Sequence, residues 1–289
     1  MRIPRHTLIQ FSDVHVVPEG TLLHGSVDTL ANLAEALAEV EAADVRPTAL
    51  LFTGDLADAG DGPSYRRLRD LVDKAAARIG APVLYGMGNH DTREDFHESL
   101  LGAPRGDHER DFVHEVDGLR VIFLDTTDPG HHHGDLTDRQ LRWLREKLTT
   151  RATHGTVLAL HHPPIPSPLA ILEMLTLRRH EELAEIVAGT DVALIVAGHA
   201  HHATCGSLGG VPVWIAPATA YSADVLAPAG LVRGTVGGGY TRIDVYDDGA
   251  TATYVPVGTG APVYELDVET LRRYLAEHTA DTGADAAQG

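Results

Sequence analysis

Five short segments of the chain place aspartate, asparagine or histidine side chains directly after a predicted strand. Asp13 and His15 are two residues apart, and the same spacing separates His199 from His201. In extended backbone, residues i and i+2 project to the same side, so each pair can direct two ligand atoms at one cation. Oxygen and imidazole ligands together suit first-row metal ions such as Mn, Fe, Co or Zn. The ligand-type residues of the five segments are Asp13 and His15, Asp55, Asn89 and His90, His161 and His162, and His199 and His201.

Asp55 is the residue around which we expect the other ligands to be arranged. The mostly apolar run 49–53 is typical of a short buried strand, and Gly54 allows a tight turn directly after it. A carboxylate has two oxygen atoms, so Asp55 can bridge two cations that lie a few ångströms apart. Taken alone, Asp55 is equally well explained as the cap of the following helix. The bridging role therefore depends on the other four segments.

Predicted strands and helices alternate over the first two thirds of the chain, which indicates β-α-β units. One β-α-β-α-β unit places the carboxyl ends of its three strands along one sheet edge, where ligands bind. Because the strands at 7–11, 49–53 and 81–85 all end in ligand-type residues, we expect these residues to converge. Further strands are predicted at 112–116 and 119–124 (a hairpin turned at Asp117-Gly118), 156–160 and 192–196, and helices at 27–43, 63–79, 136–148 and 178–188.

Each segment by itself also has an ordinary structural explanation. Asp13 can cap a turn, Asn89 can adopt the left-handed conformation of a glycine-rich turn, and His199 can be a surface residue. At His161-His162, the prolines that follow stiffen the loop, and we choose His161 as the ligand because it directly follows the strand. It is the recurrence of such residues at one strand end after another that favours a metal site.

The loop 129–134 contains three adjacent histidines, His131, His132 and His133. Neighbours in sequence rarely converge on one ion, so we interpret this triplet as a wall that faces the substrate rather than as a metal site. The proline-rich segment 166–177 is interpreted either as a mobile cap over the site or as an oligomer contact.

Composition excludes several classes of protein. The formal net charge of −18 argues against a surface that binds long nucleic acids. The single cysteine, Cys205, excludes an internal disulfide framework and is compatible with a reducing cytosol. The sequence shows no signal-peptide core at its start and no apolar run long enough to span a bilayer. We therefore expect a cytoplasmic protein with no transmembrane segment.

The pattern changes after Thr204 to short strands separated by Gly/Pro turns, at 211–215, 240–246 and 250–257. We expect these strands to form a second, antiparallel sheet. The run 234–239 is interpreted as a flexible loop, and a last helix is expected over 265–275. We expect one domain over residues 1–279 and a disordered tail over 280–289.

The five motifs, taken in order, carry a family resemblance. D-x-H, G-D, G-N-H-D, H-H-P-P and G-H-x-H span Asp13 to His201 and resemble the calcineurin-like metallophosphoesterase superfamily. Within it the chain is similar to the bacterial class III cyclic nucleotide phosphodiesterases, especially the mycobacterial type. The resemblance implies an α/β fold, a four-layer α/β/β/α sandwich of two mixed β-sheets flanked by helices, with the metals at the carboxyl ends of the strands. It also implies a homodimer, for which the strands after Thr204 are the expected source of the interface.

The resemblance implies a site with two ions, each Mn, Fe, Co or Zn, and a role for His90 in contacting the phosphate. Asp55 would serve both ions, and a metal-bridging hydroxide would attack phosphorus in line. The expected reaction is hydrolysis of cyclic nucleotides, 3′,5′- or 2′,3′-cyclic, for example cAMP, and of other small phosphodiesters. The implied ligands are Asp13, His15, Asp55 and His201 for one ion, and Asp55, Asn89, His161 and His199 for the other.

Two alternative functions stay open at this point. A phosphomonoesterase or a nuclease could use the same fold, because fold alone does not decide the substrate; the acidic composition counts against the nuclease. A non-catalytic scaffold is the other alternative, but such a protein has no need of seven metal ligands together with His90.

Overall fold

The computed structural model describes residues 2–258 and 260–279. It divides into two compact units, Met1–Gly258 and Thr259–Gly289. The first contains every described strand, and the second contains one helix, which begins three residues after the predicted start at 265. The expected disordered tail 280–289 lies outside the described residues, and the single domain over 1–279 stays a prediction.

The described strands and helices follow one another as the alternating pattern predicts. The strands are β1 (His6–Phe11), β2 (Ala49–Thr53), β3 (Val83–Gly86), β4 (Phe112–Val116), β5 (Leu119–Phe123), β6 (Thr156–Ala159), β7 (Val192–Ala197), β8 (Thr204–Leu208), β9 (Val211–Ile215), β10 (Ser222–Ala223), β11 (Gly234–Thr235), β12 (Gly239–Tyr246) and β13 (Gly249–Pro256). The α-helices are α1 (Thr29–Ala42), α2 (Gly62–Ile79), α3 (Arg93–Asp95), α4 (Asp138–Lys147), α5 (His180–Val187) and α6 (Val268–Thr279). A π-helical turn (Phe96–Leu100) follows α3, and a 3-10 helix (Ala170–Leu175) precedes α5.

Local sequence signals set the ends of the helices. Asp61 accepts a hydrogen bond from the Ser64 amide at the start of α2, with Pro63 in the first turn, and Gly80 ends the helix in the left-handed conformation. Thr137 and Gln140 form a capping box at the start of α4. The predicted helices agree with the structure to within a few residues.

Two mixed sheets lie between helices, which confirms the predicted four-layer α/β/β/α arrangement. One sheet has the order β13-β12-β1-β2-β3 and the other β4-β5-β6-β7-β9-β8, while β10 and β11 form a small pair of their own. Strands β1, β2 and β3 are parallel, and so are β5, β6, β7 and β9. Three buried apolar clusters fill the spaces: α1 and α2 against the first sheet, α4 and α5 against the second, and the two sheets against each other.

The predicted antiparallel second sheet after Thr204 is wrong. Strand β9 pairs in parallel with β7 inside the six-stranded sheet. Strands β12 and β13 instead extend the five-stranded sheet, with β12 antiparallel to β1 through pairs such as His6 with Val245. The expected flexible loop 234–239 is also wrong in part, because Gly234 and Thr235 form β11 and pair with β10. Strand propensity predicted the strands but not the strands they pair with. Pairing depends on which apolar surfaces, from distant parts of the chain, are buried against each other.

Among the described residues, no helix is both long and apolar enough to cross a membrane.

Candidate metal centre

The five predicted segments converge at the carboxyl ends of the parallel strands. The loops after β1 and β2 are joined by a series of backbone hydrogen bonds, among them those from the Asp13 amide to Gly54 O (3.0 Å) and from the His15 amide to Asp55 O (2.9 Å). The loop after β7 reaches across to the loop after β1, since the His199 amide donates to both carboxylate oxygens of Asp13 (3.0 and 2.9 Å). The centre is therefore assembled between the two sheets, from strands that are distant in the chain.

The extended backbone expected for the pairs Asp13/His15 and His199/His201 is wrong, because all four residues have positive φ. Eight described non-glycine residues have positive φ, and five of them are predicted ligands: Asp13 (51°), His15 (47°), Asp55 (52°), His199 (69°) and His201 (55°). This left-handed conformation is disfavoured for residues with a Cβ and persists only where surrounding contacts impose it. Gly54, at φ 94°, also allows the close approach of His161, because a Cβ there would lie 2.5 Å from its Nδ1. The fold accepts local strain in order to aim these side chains.

The first group of donors consists of Asp13, His15 and His201, all buried. The Nε2 atoms of His15 and His201 are 3.1 Å apart, and His201 Nε2 is 3.4 Å from Asp13 Oδ1. Asp55 joins this group through Oδ2, which is 3.7 Å from His15 Nε2.

The second group meets the same oxygen of Asp55, whereas the sequence led us to expect one carboxylate oxygen for each ion; Oδ1 instead accepts a hydrogen bond from the His90 amide. His161 Nε2 is 3.3 Å from Asp55 Oδ2 and 3.3 Å from Asn89 Oδ1. The His199 ring centroid is 5.1 Å from that of His161, and His199 Nε2 is buried without a hydrogen-bond partner among the described residues. Asp55 Oδ2 thus faces donors of both groups, the position that a bridging ligand would occupy.

These distances fit two first-row metal ions. An ion with bonds of about 2.1 Å to tetrahedrally arranged ligands holds its donor atoms about 3.4 Å apart. The five donor–donor distances given above, 3.1 to 3.7 Å, lie around that value. The buried, unpartnered nitrogen of His199 is the kind of polar group that is otherwise costly to bury. The donor set and its spacing therefore match what such ions require.

His162 is a second histidine close to this group. It is fully buried, its ligand atom lies within 4.8 Å of those of His161 and His199, and its Nε2 has no hydrogen-bond partner among the described residues. Its Nδ1 is 2.8 Å from Thr126 Oγ1. The Nδ1 of His161 is instead 2.8 Å from Thr53 O, so its Nε2 faces Asp55 and Asn89. This geometry favours His161 over His162.

The carboxylates of Asp13 and Asp55 influence which residues of the centre carry a proton. Burial by itself raises the pKa of Asp13, but the neighbouring His201 and His161 lower it to about 2. Burial lowers the pKa of His161, but Asp55 and Asp13 outweigh it and raise the pKa to about 9. Burial, with the nearby His161, lowers the pKa of His199 to about 3. A metal ion binding here must displace the proton of His161, because imidazole coordinates in its neutral form.

Asp58 is a residue to which the sequence analysis assigned no role. One of its carboxylate oxygens lies 3.1 Å from His15 Nδ1 and 3.8 Å from His90 Nδ1. Its backbone carbonyl is 2.7 Å from His90 Nδ1. Asp58 thereby orients the rings of both histidines, as carboxylates behind metal-ligating histidines commonly do. Its spacing of three residues after Asp55 was the only signal available in the sequence.

Asp91 was also missed, although it stands next to His90 in the chain. It is buried and accepts hydrogen bonds from the Leu56 amide (3.1 Å), the Gly88 amide (2.8 Å) and the Tyr65 hydroxyl (2.7 Å). It therefore ties the loop that carries Asp55 to the loop that carries Asn89 and His90. Nothing about its type or position distinguishes this supporting role from that of a ligand.

A cavity of about 380 Å³ opens onto the centre. Its lining combines predicted ligands and His90 with a group of apolar side chains, and it also includes His24, Tyr221 and Arg233. His132 lines this cavity, whereas His131 and His133 do not, so only one member of the histidine triplet is placed as the predicted substrate-facing wall. The larger apolar side chains of this lining, which form its apolar wall, are Leu169, Leu172, Leu175 and Val232. Three of the four lie in the predicted cap segment 166–177.

Comparisons with known proteins agree with this geometry. The model of the calcineurin-like phosphoesterase family matches residues 6–203. A Rhodococcus erythropolis protein named "Probable cyclic nucleotide phosphodiesterase" is 43% identical over 275 residues, which cover 94% of this chain and 91% of that protein. A Mycobacterium tuberculosis protein named as a cAMP/cGMP dual specificity phosphodiesterase is 43% identical, covering 95% of this chain and 87% of its own length. Among solved structures, a dimetal phosphatase from Danio rerio shares the fold with a TM-score of 0.62 at 14% identity, over 89% of this chain and all of that one.

Proposed function

The chain belongs to the calcineurin-like phosphoesterase family, and we propose that it is a dinuclear metal-dependent phosphodiesterase that hydrolyses cyclic nucleotides. The observation that carries the proposal is the cavity, whose lining combines a cluster of metal-type donors with apolar side chains. A cyclic nucleotide has the matching polarity, with an anionic phosphodiester at one end and a flat base at the other. The two relatives at 43% identity carry names of this activity.

The size and charge of the site support a small substrate. A cavity of about 380 Å³ lies within the range of small-molecule sites. The net charge of −18 repels long polyanions, while two cations bound beside two carboxylates would make the pocket locally positive. This combination favours a mononucleotide over a nucleic acid strand.

The proposed ion ligands are those of the two donor groups. When bound, the ions would supply Lewis-acid charge to the phosphate oxygens and make an attacking water more acidic. Asp55 holds the two groups together, and the Asp58 carboxylate orients His15 behind the first of them. The proposed ligands are Asp13, His15, Asp55 and His201 for the first ion, and Asp55, Asn89, His161 and His199 for the second.

His90 is the proposed proton donor to the leaving alkoxide. Its Nδ1 donates to the Asp58 carbonyl at 2.7 Å, so Nε2 is the nitrogen available to a substrate in the cavity that His90 lines. Burial lowers the pKa of His90, but the nearby Asp55 and Asp58 raise it above its ordinary value. The backbone amide of His90 donates to Asp55 Oδ1 at 2.9 Å, which fixes the ring beside the centre. A positioned imidazolium can protonate a ribose alkoxide, which is a poor leaving group.

A substrate panel tests the proposal. The purified protein, reconstituted with Mn²⁺, is assayed on 3′,5′- and 2′,3′-cyclic nucleotides, linear diesters and monoesters. We expect the highest kcat/KM on a cyclic nucleotide and loss of activity after chelation. A preference for monoesters would support the phosphomonoesterase alternative, and metal-reconstituted protein inactive on every substrate would support the scaffold.

The assembly and location of the enzyme are part of the proposal. We propose a homodimer that acts in the cytoplasm, where Cys205, exposed in the structure, would stay reduced. Light scattering at micromolar concentration should give twice the chain mass, and a monomer mass would contradict the dimer.

A further inference from the structure

The histidine triplet of the loop 129–134 does not act as one unit. His132 turns toward the predicted dinuclear centre, where its Nδ1 is 3.3 Å from Asn89 Nδ2 and its ring centroid is 6.3 Å from that of His90. His131 and His133, at the i and i+2 positions, turn the other way and meet Asp128. We propose that Asp128, His131 and His133 form a third metal site, which takes a single first-row ion such as Zn²⁺.

The loop backbone brings the three side chains together. The His131 amide donates to Asp128 O at 2.9 Å, closing a turn in which Gly130 has φ 86°. The far end of the loop is held by Gly134, whose amide donates to Thr176 O (3.3 Å) and whose carbonyl accepts from the Arg178 amide (2.8 Å). The turn and this anchor return His133 to the side chain of Asp128, five residues earlier.

The three donors lie nearly as close together as those of the dinuclear centre. Asp128 Oδ2 is 3.2 Å from His133 Nε2 and 3.8 Å from His131 Nε2. The two rings have centroids 4.8 Å apart, and all three ligand atoms lie within 4.8 Å of one another. The donors of the dinuclear centre stand 3.1 to 3.7 Å apart, and about 3.4 Å is expected around one tetrahedral ion. The cluster of Asp128, His131 and His133 is therefore compact enough to surround one ion.

His133 provides a second, independent observation. The residue is only 8% exposed, and its Nε2 is buried with no hydrogen-bond partner among the described residues. This is so even though Asp128 Oδ2 is 3.2 Å away, which means that the two groups do not point at each other as a hydrogen-bonded pair does. Ligands of one ion point instead at a shared position between them. His199 Nε2 in the dinuclear centre is unpartnered in the same way.

The donor set indicates the kind of ion. Two imidazoles and one carboxylate suit zinc and similar first-row metals, whereas Mg²⁺ and Ca²⁺ prefer shells made of oxygen. Three protein ligands leave a fourth tetrahedral position for water. Asp128 and His131 line a cavity of about 500 Å³ that also reaches Asn89 and His90, so an ion has a path to the site. Bound there, it would order the loop that presents His132 to the neighbouring centre.

Metal stoichiometry tests the proposal. Metal-free protein is titrated with Zn²⁺ against a chromophoric chelator, and the tightly bound equivalents are counted. We expect three equivalents in the unchanged protein, and two in both Asp128→Asn and His133→Gln. His114→Gln, which changes a histidine on β4 away from the loop, is the matched control and should keep three. Two equivalents in the unchanged protein, or three in Asp128→Asn, would overturn the third site.

The Asp55→Ala protein separates this proposal from that of the dinuclear centre. There we expect one equivalent to survive, and to disappear when Asp128→Asn is added. The dinuclear assignment could be wrong while the third site is right. In that case Asp128→Asn would still bind one equivalent fewer than its parent protein, whatever the effect of Asp55→Ala.

Hydrogen exchange supplies a readout that does not depend on counting ions. An ion present at 100 times its dissociation constant suppresses opening of the segment that binds it by about 100-fold. Zn²⁺ should therefore slow amide exchange in residues 128–134 by up to about 100-fold in the unchanged protein and in His114→Gln. This slowing should be absent in Asp128→Asn. Amide exchange in β6 and β7 of that variant should equal that of the unchanged protein, which would show that the variant is folded. Equal slowing in Asp128→Asn would contradict the proposal.

Discussion

The two ends of the catalytic cavity are built in different ways. The metal end is made of side chains on short loops directly after buried strands, with Asp13 fully buried and His161 only 1% exposed. The apolar wall comes from the 3-10 helix Ala170–Leu175 and the loop before β11, where Val232 is 75% exposed. In the proposed enzyme the chemistry is thus attached to the rigid sheets, and substrate contacts would come from surface segments that can change without disturbing it.

The largest expected effect comes from replacing Asp55, the residue shared by both donor groups of the metal end. Asp55→Ala should lower kcat/KM by more than about 10³-fold, because charge stabilisation of the reacting phosphate is lost. Metal analysis should show loss of both ions of the dinuclear centre, and the melting temperature should fall because bound ions stabilise the folded state. Asp13→Ala is the matched variant and should mainly weaken one ion. Equal, mild effects of the two changes would contradict the bridging position of Asp55.

His90 should affect chemistry while leaving the ions in place. We expect His90→Ala to reduce kcat on a cyclic nucleotide by about 10²–10⁴-fold, the usual contribution of a positioned general acid. On a p-nitrophenyl diester, whose leaving group departs without protonation, the loss should be markedly smaller. The measurement is steady-state kinetics on both substrates, together with metal analysis of the same His90→Ala protein. An equal loss on both substrates would indicate hydrogen bonding to a phosphoryl oxygen instead, and a loss of metal would make His90 a ligand.

The pH dependence of ion binding probes the metal end alone. Against the effect of burial, Asp55 and Asp13 raise the pKa of His161 to about 9, and that proton must leave before an ion binds. Well below pH 9 the affinity of the metal-free centre should therefore rise about tenfold per pH unit; it should gain about 50-fold from pH 7 to 9 and level off above. Mn²⁺ titration calorimetry at several pH values measures this. An affinity that does not change over that range would contradict a protonated His161.

The apolar wall should show the smallest effect and a different kinetic signature. Leu172→Ala removes apolar contact worth about 1–2 kcal/mol, so KM for a cyclic nucleotide should rise roughly 5- to 30-fold with kcat and metal content unchanged. Met174→Ala is the matched control, because Met174 belongs to the same 3-10 helix but is 74% exposed and does not line the cavity. A fall in kcat without a change in KM would mean that this wall is not a binding surface.

Most of the centre could be predicted from the sequence because each segment carries a local signal. A buried strand, a glycine or a tight turn, and then a ligand-type residue are readable within a few positions, as in Phe52-Thr53-Gly54-Asp55. The order of strands and helices predicted that these ends would share an edge, and the backbone hydrogen bonds between the loops of Asp13 and Asp55 agree. The ion ligands themselves stay a prediction that the geometry supports.

The supporting residues could not be found in this way. Asp58 and Asp91 are carboxylates like Asp55, and only the packed structure shows that one orients histidines and the other binds backbone amides. The side chains of adjacent residues can also point to different places, since His132 contacts Asn89 of the dinuclear centre and His133 lies beside Asp128. Residue type limits what a side chain can bind, but its direction depends on backbone angles and on neighbours from elsewhere in the chain.

The sequence by itself determined most of the long helices and strands and the motif residues, because propensity and periodicity act over a few residues. It did not predict β8, β10, β11, α3 or the 3-10 helix. Only the tertiary structure decided which strands are neighbours. Strand β12 joins β1 across more than two hundred residues, with His6 opposite Val245, and β9 joins β7 in parallel although the pattern around it favours hairpins. Strand pairing is decided by which apolar faces are buried together between the sheets and the helices. Alternative pairings compete for this burial, and the outcome depends on the whole chain.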